Sequence, residues 1–239
     1  MEEAMKKGGE PLRPDVLLLP ELWDIGFYPR PLADYVDKGG SESREILSSL
    51  AQKYNVNIVG GSVAVKTGKD IRNECLVFNR NGDLIASYDK THLFSPAKEE
   101  KAFKKGDHLA TFEIDGVKCG VVICYDLRFP EIIRRLALSG ISLLFIPSAW
   151  PTERLAHWRI LLQARAIENQ IFVAAANGSG TFATKVPLAG HSMIVDPWGR
   201  ILSESKLDEA IVSANIDFSL REDIKNKMDV FNDRREELY

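Results

Sequence analysis

Two turn signals, set among segments that alternate between strand and helix patterns, constrain the fold more than any other feature of the sequence. Asn81-Gly82 and Asp115-Gly116 are dipeptides that favour two-residue hairpin turns, because Gly, Asn and Asp tolerate positive φ. Hairpins together with strand–helix–strand units are typical of mixed sheets covered by helices. The sequence therefore predicts an α/β fold. The strands predicted on either side of the turns cover 75–78 and 84–88, and 111–114 and 117–123.

Helices are predicted where apolar residues recur every three or four positions. Ile46, Leu47, Leu50 and Ala51 form one such stripe. Pro130 at the start and Gly140 just beyond the end mark the limits of a second predicted helix. The predicted helices cover 44–53, 131–139 and 157–169. The remaining predicted strands cover 16–20, 56–63, 142–147, 171–176, 192–195, 201–205 and 210–216. From Leu220 the charged tail is expected to be a helix or an arm.

The composition is that of an ordinary globular domain and excludes several classes of partner. The chain has 239 residues, 45% hydrophobic and 27% charged, with a net charge of −3. This charge gives no electrostatic basis for binding nucleic acid or anionic membranes. The apolar runs are too short to span a bilayer, and the N-terminus lacks the apolar core of a secretory signal.

Cysteine and histidine usage bears on compartment and on metals. An odd number of cysteines without paired spacing argues against a disulfide framework and indicates a reducing compartment, so we expect a cytoplasmic protein. The four histidines are scattered, and no pair of ligands has the spacing of a metal site. We expect no metal and no cofactor.

Three reactive side chains follow predicted strands directly. Glu21 follows 16–20, Lys90 follows the strand that ends near 89, and Cys124 follows 117–123. Individually, a strand cysteine is usually a core residue and a lysine after a strand is usually solvated. Glu21 is harder to dismiss, because a carboxylate behind three leucines and a proline risks losing its water. Together they form a plausible covalent catalyst, and the helix predicted to begin at Pro130 would favour a thiolate at Cys124.

The segments around these residues resemble those of the nitrilase superfamily of carbon–nitrogen hydrolases. The resemblance extends in unbroken order from about Asp15 to Asp217, and it is specific because four motifs occur together. The matching segments are Leu-Leu-Pro-Glu-Leu-Trp at 18–23, Tyr-Asp-Lys-Thr-His-Leu at 88–93, Ile-Cys-Tyr-Asp-Leu-Arg-Phe-Pro-Glu at 123–131, and Ala-Arg-Ala-Ile-Glu-Asn-Gln at 164–170.

The resemblance implies a fold and a set of roles. The implied fold is a four-layer α-β-β-α sandwich, in a single domain over 1–239. Glu21 is the implied general base, Lys90 the oxyanion stabiliser and Cys124 the nucleophile. Glu99 matches a second glutamate found near the site in many members, although its neighbour Glu100 competes for that assignment.

These groups are suited to amide hydrolysis through a thioester, with a backbone N–H near Tyr125 as a second oxyanion donor. The segments 148–151 and 157–159 look closest to the omega-amidase-like branch, whose substrates are amides of dicarboxylates. Arg128 and Arg154 are candidates to bind the free carboxylate. The alternatives are an i,i+3 pair of Arg128 with Glu131 and a solvated Arg154. Trp150 and Phe27 are expected to line the pocket, or else to be core aromatics.

Other functions remain open from the sequence. The same residues would serve a nitrile or N-carbamoyl hydrolase. A papain-like cysteine–histidine pair would leave Glu21 and Lys90 unexplained. A non-catalytic binding or assembly protein with this fold would have no need of a nucleophile, a base and an oxyanion donor together. The expected partners are a small amide substrate, water and, by resemblance, a second copy in a homodimer or higher oligomer.

The sequence departs from the family pattern at its start. Members normally have an extra strand and a full helix before the segment with the glutamate. Residues 1–14 are instead predicted to be the remnant of that helix and a loop, and 220–239 a charged tail. We therefore expect the usual first strand to be lacking, leaving a sheet edge that is exposed or covered by a partner subunit.

Overall fold

The computed structural model describes residues 6–7, 10–11, 13–27, 31–181 and 185–238. Its helices are α1 (Ser41–Tyr54), α2 (Pro130–Leu138), α3 (Leu155–Asn169) and α4 (Ser219–Lys227). Its strands are β1 (Lys6–Lys7), β2 (Glu10–Pro11), β3 (Val16–Leu18), β4 (Asp37–Lys38), β5 (Asn57–Val59), β6 (Val63–Thr67), β7 (Asp70–Phe78), β8 (Leu84–Asp89), β9 (Ala110–Ile114), β10 (Val117–Val121), β11 (Leu143–Ser148), β12 (Phe172–Asn177), β13 (Met193–Val195) and β14 (Ile201–Glu204).

The longer strands form two six-stranded sheets. In the first sheet the long strand β7 pairs antiparallel with β5, β6 and β8, while β3 runs parallel to β5 and β4 parallel to β6. In the second sheet the order is β14-β13-β12-β11-β10-β9, and its central strands β10, β11 and β12 are parallel. Both predicted hairpins are present, as the antiparallel pairs β7–β8 and β9–β10.

Apolar clusters stack these elements in four layers. Leu47 and Ala51 of α1 pack with Ile58 and Leu76 on the outer face of the first sheet. A larger cluster joins residues of both sheets with residues of α2 and α3, and its members include Val77, Phe112, Phe145, Ile133 and Trp158. The arrangement is α1, first sheet, second sheet, and then α2 with α3. This confirms the predicted α/β fold with an α-β-β-α sandwich.

Three predicted elements are wrong. The strand predicted over 56–63 is interrupted at 60–62, so that Asn57–Val59 forms β5 and Val63 begins β6. The segment 210–216, with the pattern of a strand, pairs with no strand edge among the described residues. Its side chains still alternate in burial, and Ile216 packs on the core, so the periodic pattern reflects packing without a hydrogen-bonded ladder. At the N-terminus, Lys6–Lys7 pair with Glu10–Pro11 as a short ribbon in place of the predicted helix remnant. Residues 1–5 of that prediction lie outside the described residues. The tail from Leu220 contains most of α4.

A glycine-rich connection between β5 and β6 holds the turn that follows β3. Ser62 N donates to Pro20 O at 3.2 Å, and Ser62 Oγ accepts from Leu22 N at 3.0 Å. Trp23 Nε1 donates to Gly60 O at 2.8 Å. Gly61 has φ +63°, and a Cβ there would lie 2.1 Å from Pro20 O. Glycine is required at this position because of both its backbone conformation and the close approach of the neighbouring chain.

We expect Gly61→Ala to lower the free energy of unfolding by about 1–3 kcal/mol more than Gly68→Ala, measured by urea denaturation. Gly68 is the matched control, since its φ is +61° but a methyl group there would meet no neighbouring atom within 4 Å. The two substitutions therefore share the backbone cost and differ in the clash with Pro20. Equal destabilisation by both variants would contradict this account.

Candidate active site

The predicted trio converges where strands of both sheets end. Glu21 follows β3 in the first sheet and Lys90 follows β8 in the same sheet, whereas Cys124 follows β10 in the second sheet. Glu21 also reaches the end of β11, where Ala149 N donates to Glu21 Oε2 at 2.9 Å. The site is therefore built at the junction of the two sheets.

Lys90 lies between two carboxylates and is completely buried with them. Its Nζ donates to Glu21 Oε1 at 2.8 Å and to Glu99 Oε2 at 2.9 Å, and the side chains of all three residues have 0% exposure. Burial alone would lower the pKa of Lys90, but the charges of Glu21 and Glu99 outweigh it and raise the pKa well above its ordinary value. Lys90 is therefore a fixed positive charge in a site closed to water.

The two oxygens of Glu21 have different surroundings. Oε1 accepts from Lys90 Nζ and, at 2.8 Å, from Asn73 Nδ2. Oε2 accepts the backbone N–H of Ala149, and the charge of Glu21 acts on the nearby Cys124 thiol. Oε1 is thus committed to two strong donors, and Oε2 is the oxygen with capacity to accept the thiol proton.

Glu99, rather than Glu100, is the second glutamate of the site. Glu99 is buried, whereas Glu100 is exposed. Each oxygen of Glu99 accepts two donors: Oε1 accepts from Asn73 Nδ2 at 3.2 Å and Lys90 Nζ at 3.1 Å, and Oε2 from Lys90 Nζ and, at 2.6 Å, from Phe94 N. With its lone pairs occupied in this way, Glu99 is suited to hold Lys90 in place and to balance its charge.

Cys124 lies on a strained turn. Its φ of 48° is in the left-handed region, which costs a non-glycine residue about 1–2 kcal/mol. The residue is buried, and burial followed by the charge of Glu21 raises the pKa of the thiol well above its ordinary value, although Lys90 opposes this. Burial and the charge of Glu21 therefore oppose the thiolate that the neighbouring helix terminus was predicted to favour.

Asp126 is a residue that the sequence patterns did not single out, and it connects the Lys90 loop to the Cys124 turn. Its Oδ2 accepts from Ile123 N at 2.9 Å and from the Tyr88 hydroxyl at 2.8 Å. Its Oδ1 accepts from the Thr91 hydroxyl at 3.0 Å and from His92 N at 2.8 Å. The available signal was its position two residues after the cysteine in the turn motif.

Asn177 is a second residue missed at the sequence level, at the end of β12. Its Oδ1 accepts from Trp150 N at 2.6 Å, and its Nδ2 donates to Trp150 O at 3.2 Å and to Gly190 O at 2.8 Å. It thereby fixes the backbone next to Ala149, which contacts Glu21. The strand-end pattern that identified the trio would also have identified Asn177, since a polar residue there ends an apolar run.

The other candidate residues occupy different surroundings. Arg128 Cζ lies 4.6 Å from the centroid of the Trp150 ring, and Arg154 Cζ lies 5.4 Å from that of Phe94. Among the described residues Arg128 forms no ion pair with Glu131, so the predicted helical pair is wrong. Arg154 pairs with Glu153 in a half-exposed setting.

The candidate aromatic residues Tyr125 and Phe27 both pack against other apolar side chains. The half-buried Tyr125 ring packs on Phe94 and Phe129. Phe27 packs on a cluster with Leu22 and Phe103.

The distribution of ligand-type side chains and the lengths of the helices bear on metals and membranes. Across 13–27, 31–181 and 185–238, no group of three or more His, Cys, Asp or Glu side chains is arranged to hold a metal ion. Within the part of the chain that the structure describes, no helix is both long and apolar enough to cross a bilayer.

Comparison with known proteins places the chain in one family. The family model for carbon-nitrogen hydrolase matches residues 1–226. The chain is 44% identical over 225 residues to 2-oxoglutaramate amidase of Bacillus subtilis, covering 94% of this chain and 86% of the relative. It is 34% identical over 247 residues to an omega-amidase of Homo sapiens, covering 100% of this chain and 88% of the relative.

Solved structures agree with this assignment. A carbon–nitrogen hydrolase superfamily protein of Xanthomonas campestris, with an arsenic adduct in its active site, superposes with a TM-score of 0.86 at 28% identity over 92% of this chain and 84% of that one. A glutamate-to-glutamine variant of the amidase from Nesterenkonia sp. AN1 superposes with a TM-score of 0.84 at 27% identity, over 95% and 83%. That structure shows covalent addition of the acetamide moiety of fluoroacetamide at the active site cysteine.

We expect Asp126→Asn to lower the free energy of unfolding by about 1–3 kcal/mol, because an amide nitrogen would face buried donors that the carboxylate accepts. Tyr88→Phe is the control, since it removes a single donor and leaves the carboxylate in place; its expected cost is about 1 kcal/mol. Urea denaturation measures both. If Asp126→Asn were no more destabilising than Tyr88→Phe, the linking role of Asp126 would be wrong.

Proposed function

We propose that this chain, which belongs to the carbon–nitrogen hydrolase family and hydrolyses carbon–nitrogen bonds other than peptide bonds, acts on the terminal amide of a small dicarboxylate monoamide. The observation that supports the chemistry is the buried contact of Lys90 with Glu21, beside a buried thiol on which both charges act. The relatives named as omega-amidase and 2-oxoglutaramate amidase support the substrate class.

In the proposed acylation, Glu21 Oε2 accepts the proton of Cys124 as the sulfur attacks the amide carbon. A base suits this step because burial and the charge of Glu21 raise the pKa of the thiol. The carbonyl oxygen becomes an oxyanion, which Lys90 Nζ and the backbone N–H of Tyr125 stabilise. Donors of this kind contribute about 2.7–4 kcal/mol each in comparable sites.

Collapse of the tetrahedral intermediate releases ammonia and forms the thioester. The C–N bond breaks, and the nitrogen leaves with the proton that Glu21 holds. A water molecule then gives its proton to the same carboxylate and attacks the thioester carbon. When the C–S bond breaks, the proton returns from Glu21 to sulfur, and the carboxylic acid product departs. Glu99 stays hydrogen-bonded to Lys90 throughout, which keeps the ammonium in position.

Cys124→Ala is expected to reduce kcat for ammonia release by at least about 10⁴-fold, because no covalent intermediate can form. Intact-mass spectrometry of the acid-quenched reaction should show an acyl adduct on the wild-type chain and none on the variant. Cys119→Ala is the matched control, a buried strand cysteine in the same sheet whose loss should leave the adduct unchanged. Full turnover by Cys124→Ala would refute the mechanism.

Arg128 is the proposed partner of the free carboxylate of the substrate. Its guanidinium stacks on Trp150, and Arg128 Nη2 lies 3.3 Å from His157 Nδ1. Burial, and to a lesser degree the charge of Arg154, lower its pKa, and Cys124 lies close enough to act on it electrostatically. A cation that forms no ion pair with the described carboxylates, next to the nucleophile, is suited to an anionic substrate.

Arg128→Ala is expected to lower kcat/KM about 10–100-fold for an ω-amide of an oxo-dicarboxylate, through a higher KM. A neutral amide such as propionamide should be hydrolysed as well as by the wild type. Arg159→Ala is the control, because its partner Glu204 lies elsewhere on the surface. Steady-state ammonia release on both substrates measures each variant. An equal loss on both substrates would exclude carboxylate recognition by Arg128.

A nitrile or N-carbamoyl hydrolase would use the same buried groups. A substrate screen for ammonia release should therefore include nitriles and N-carbamoyl compounds beside amides. A non-catalytic binding protein would show slow and equal labelling of the three cysteines by iodoacetamide.

We also propose that the protein is cytoplasmic and forms a homodimer or a larger assembly. Free Cys75, Cys119 and Cys124 support a reducing compartment, and the exposed Ile160 and Ile167 of α3 support self-association.

A further inference from the structure

We propose that Asn73, on β7, is a positioning residue that sets the protonation of Glu21. Asn73 does not reach the reacting sulfur by any described contact, and it acts through the carboxylate. This inference rests on the proposed role of Glu21 as the general base. It adds to that role a specific hydrogen-bond donor to the base.

The contacts of Asn73 include every member of the buried charge cluster. Its Nδ2 donates to Glu21 Oε1 at 2.8 Å and to Glu99 Oε1 at 3.2 Å. Its backbone oxygen accepts from Lys90 N at 2.9 Å, because Lys90 continues the β7–β8 ladder one step beyond the pair of Glu74 with Asp89. One residue thus contacts both carboxylates through its side chain and the backbone of Lys90 through its main chain.

The chemistry of the cluster determines which end of the Asn73 amide faces it. Two carboxylates can only accept, so the amide must present its nitrogen to them and turn its oxygen away. Asn73 Oδ1 is buried and has no hydrogen-bond partner among the described residues. An unpaired buried acceptor is costly, and such exceptions in native structures call for an explanation. The explanation offered here is that the site requires the two N–H donors.

The donor to Glu21 stabilises the charged form of the carboxylate. Hydrogen bonding to the ionised form lowers a carboxyl pKa, and removal of the donor raises it. Without Asn73, Glu21 Oε1 would keep only its hydrogen bond from Lys90. The Nδ2 group that bridges Glu21 and Glu99 would be lost, and it would no longer offset the repulsion between the two carboxylates. The base would then hold its proton to a higher pH, and the acidic limb of the activity profile would move upward.

A purely structural role makes a different prediction. Asn73 lies inside a strand with 0% exposure, so truncation leaves a cavity and lowers stability in either case. Loss of packing alone leaves the ionisation of Glu21 unchanged. Asn73→Asp restores the packing, because aspartate keeps the shape of the side chain. Loss of the donor is not relieved by aspartate, because a third carboxyl group beside Glu21 and Glu99 raises their proton affinity further.

The test compares Asn73→Ala and Asn73→Asp with the wild type. Two rates are measured against pH: kcat/KM for ammonia release, and the alkylation of Cys124 by iodoacetamide followed by peptide mass spectrometry. The acidic limb of kcat/KM reports groups of the free enzyme. In both variants we expect the acidic limb of kcat/KM to shift to higher pH by about one unit, and the acidic limb of the alkylation rate to shift with it.

The matched control is Asn57→Ala. Asn57 is also buried and its Nδ2 also contacts a carboxylate, Asp115 Oδ2 at 3.0 Å, but it begins β5 at the end of the sheet opposite Glu21. It should lower the melting temperature and leave both limbs in place. If Asn73→Asp kept the wild-type limbs, or if Asn57→Ala moved them as far, the inference would be overturned.

The two readouts separate this inference from the proposed function. If no amide is hydrolysed but the alkylation limb still shifts in the Asn73 variants, the substrate proposal fails and the role of Asn73 stands. If amides are hydrolysed and neither limb shifts, the role of Asn73 fails and the proposed function stands.

Discussion

The buried ammonium of Lys90, held between Glu21 and Glu99, is the interaction on which the rest of the structure depends. Burying such charges costs several kcal/mol each, and the cost is offset only when the geometry and the remaining hydrogen bonds are close to ideal. All three side chains have 0% exposure, and the donors Asn73 Nδ2 and Ala149 N complete their hydrogen bonding. These groups come from β3, β7, β8 and the end of β11, which belong to both sheets. The cluster therefore forms only when the two sheets are packed in this alignment.

Strain around the nucleophile follows from the same requirement. Cys124 and Leu22 both have positive φ, at 48° and 47°, and each adjoins a strand end that faces the cluster. Such conformations persist only where the surroundings over-determine them. Asp126 does this for the Cys124 turn by binding the loop that follows Lys90, and Ser62 does it for the Glu21 turn. Hydrogen bonds to neighbouring elements therefore hold these loops on both sides.

Much of this could be predicted from the sequence, for identifiable reasons. Hairpins at Asn81-Gly82 and Asp115-Gly116, and the helix that begins at Pro130, depend on local chemistry that a single segment contains. Strand ends likewise identified Glu21, Lys90 and Cys124, which the structure brings together. Asn73 and the ionisation of the thiol could not be predicted, since both depend on groups distant in sequence. The segment 210–216 has a strand pattern without a partner edge among the described residues, and periodicity reports packing alone.

The burial of the thiol fits the proposed mechanism. Desolvation raises the pKa of Cys124, which disfavours a thiolate before the substrate is in place. Reactivity then depends on Glu21 Oε2, whose partner oxygen Oε1 is occupied by Lys90 and Asn73. The nucleophile is generated only while a carbonyl is present to accept the negative charge, beside an ammonium that is already in position. In the proposed mechanism the buried cluster determines the reaction, and Arg128, outside the cluster, is the proposed determinant of substrate choice.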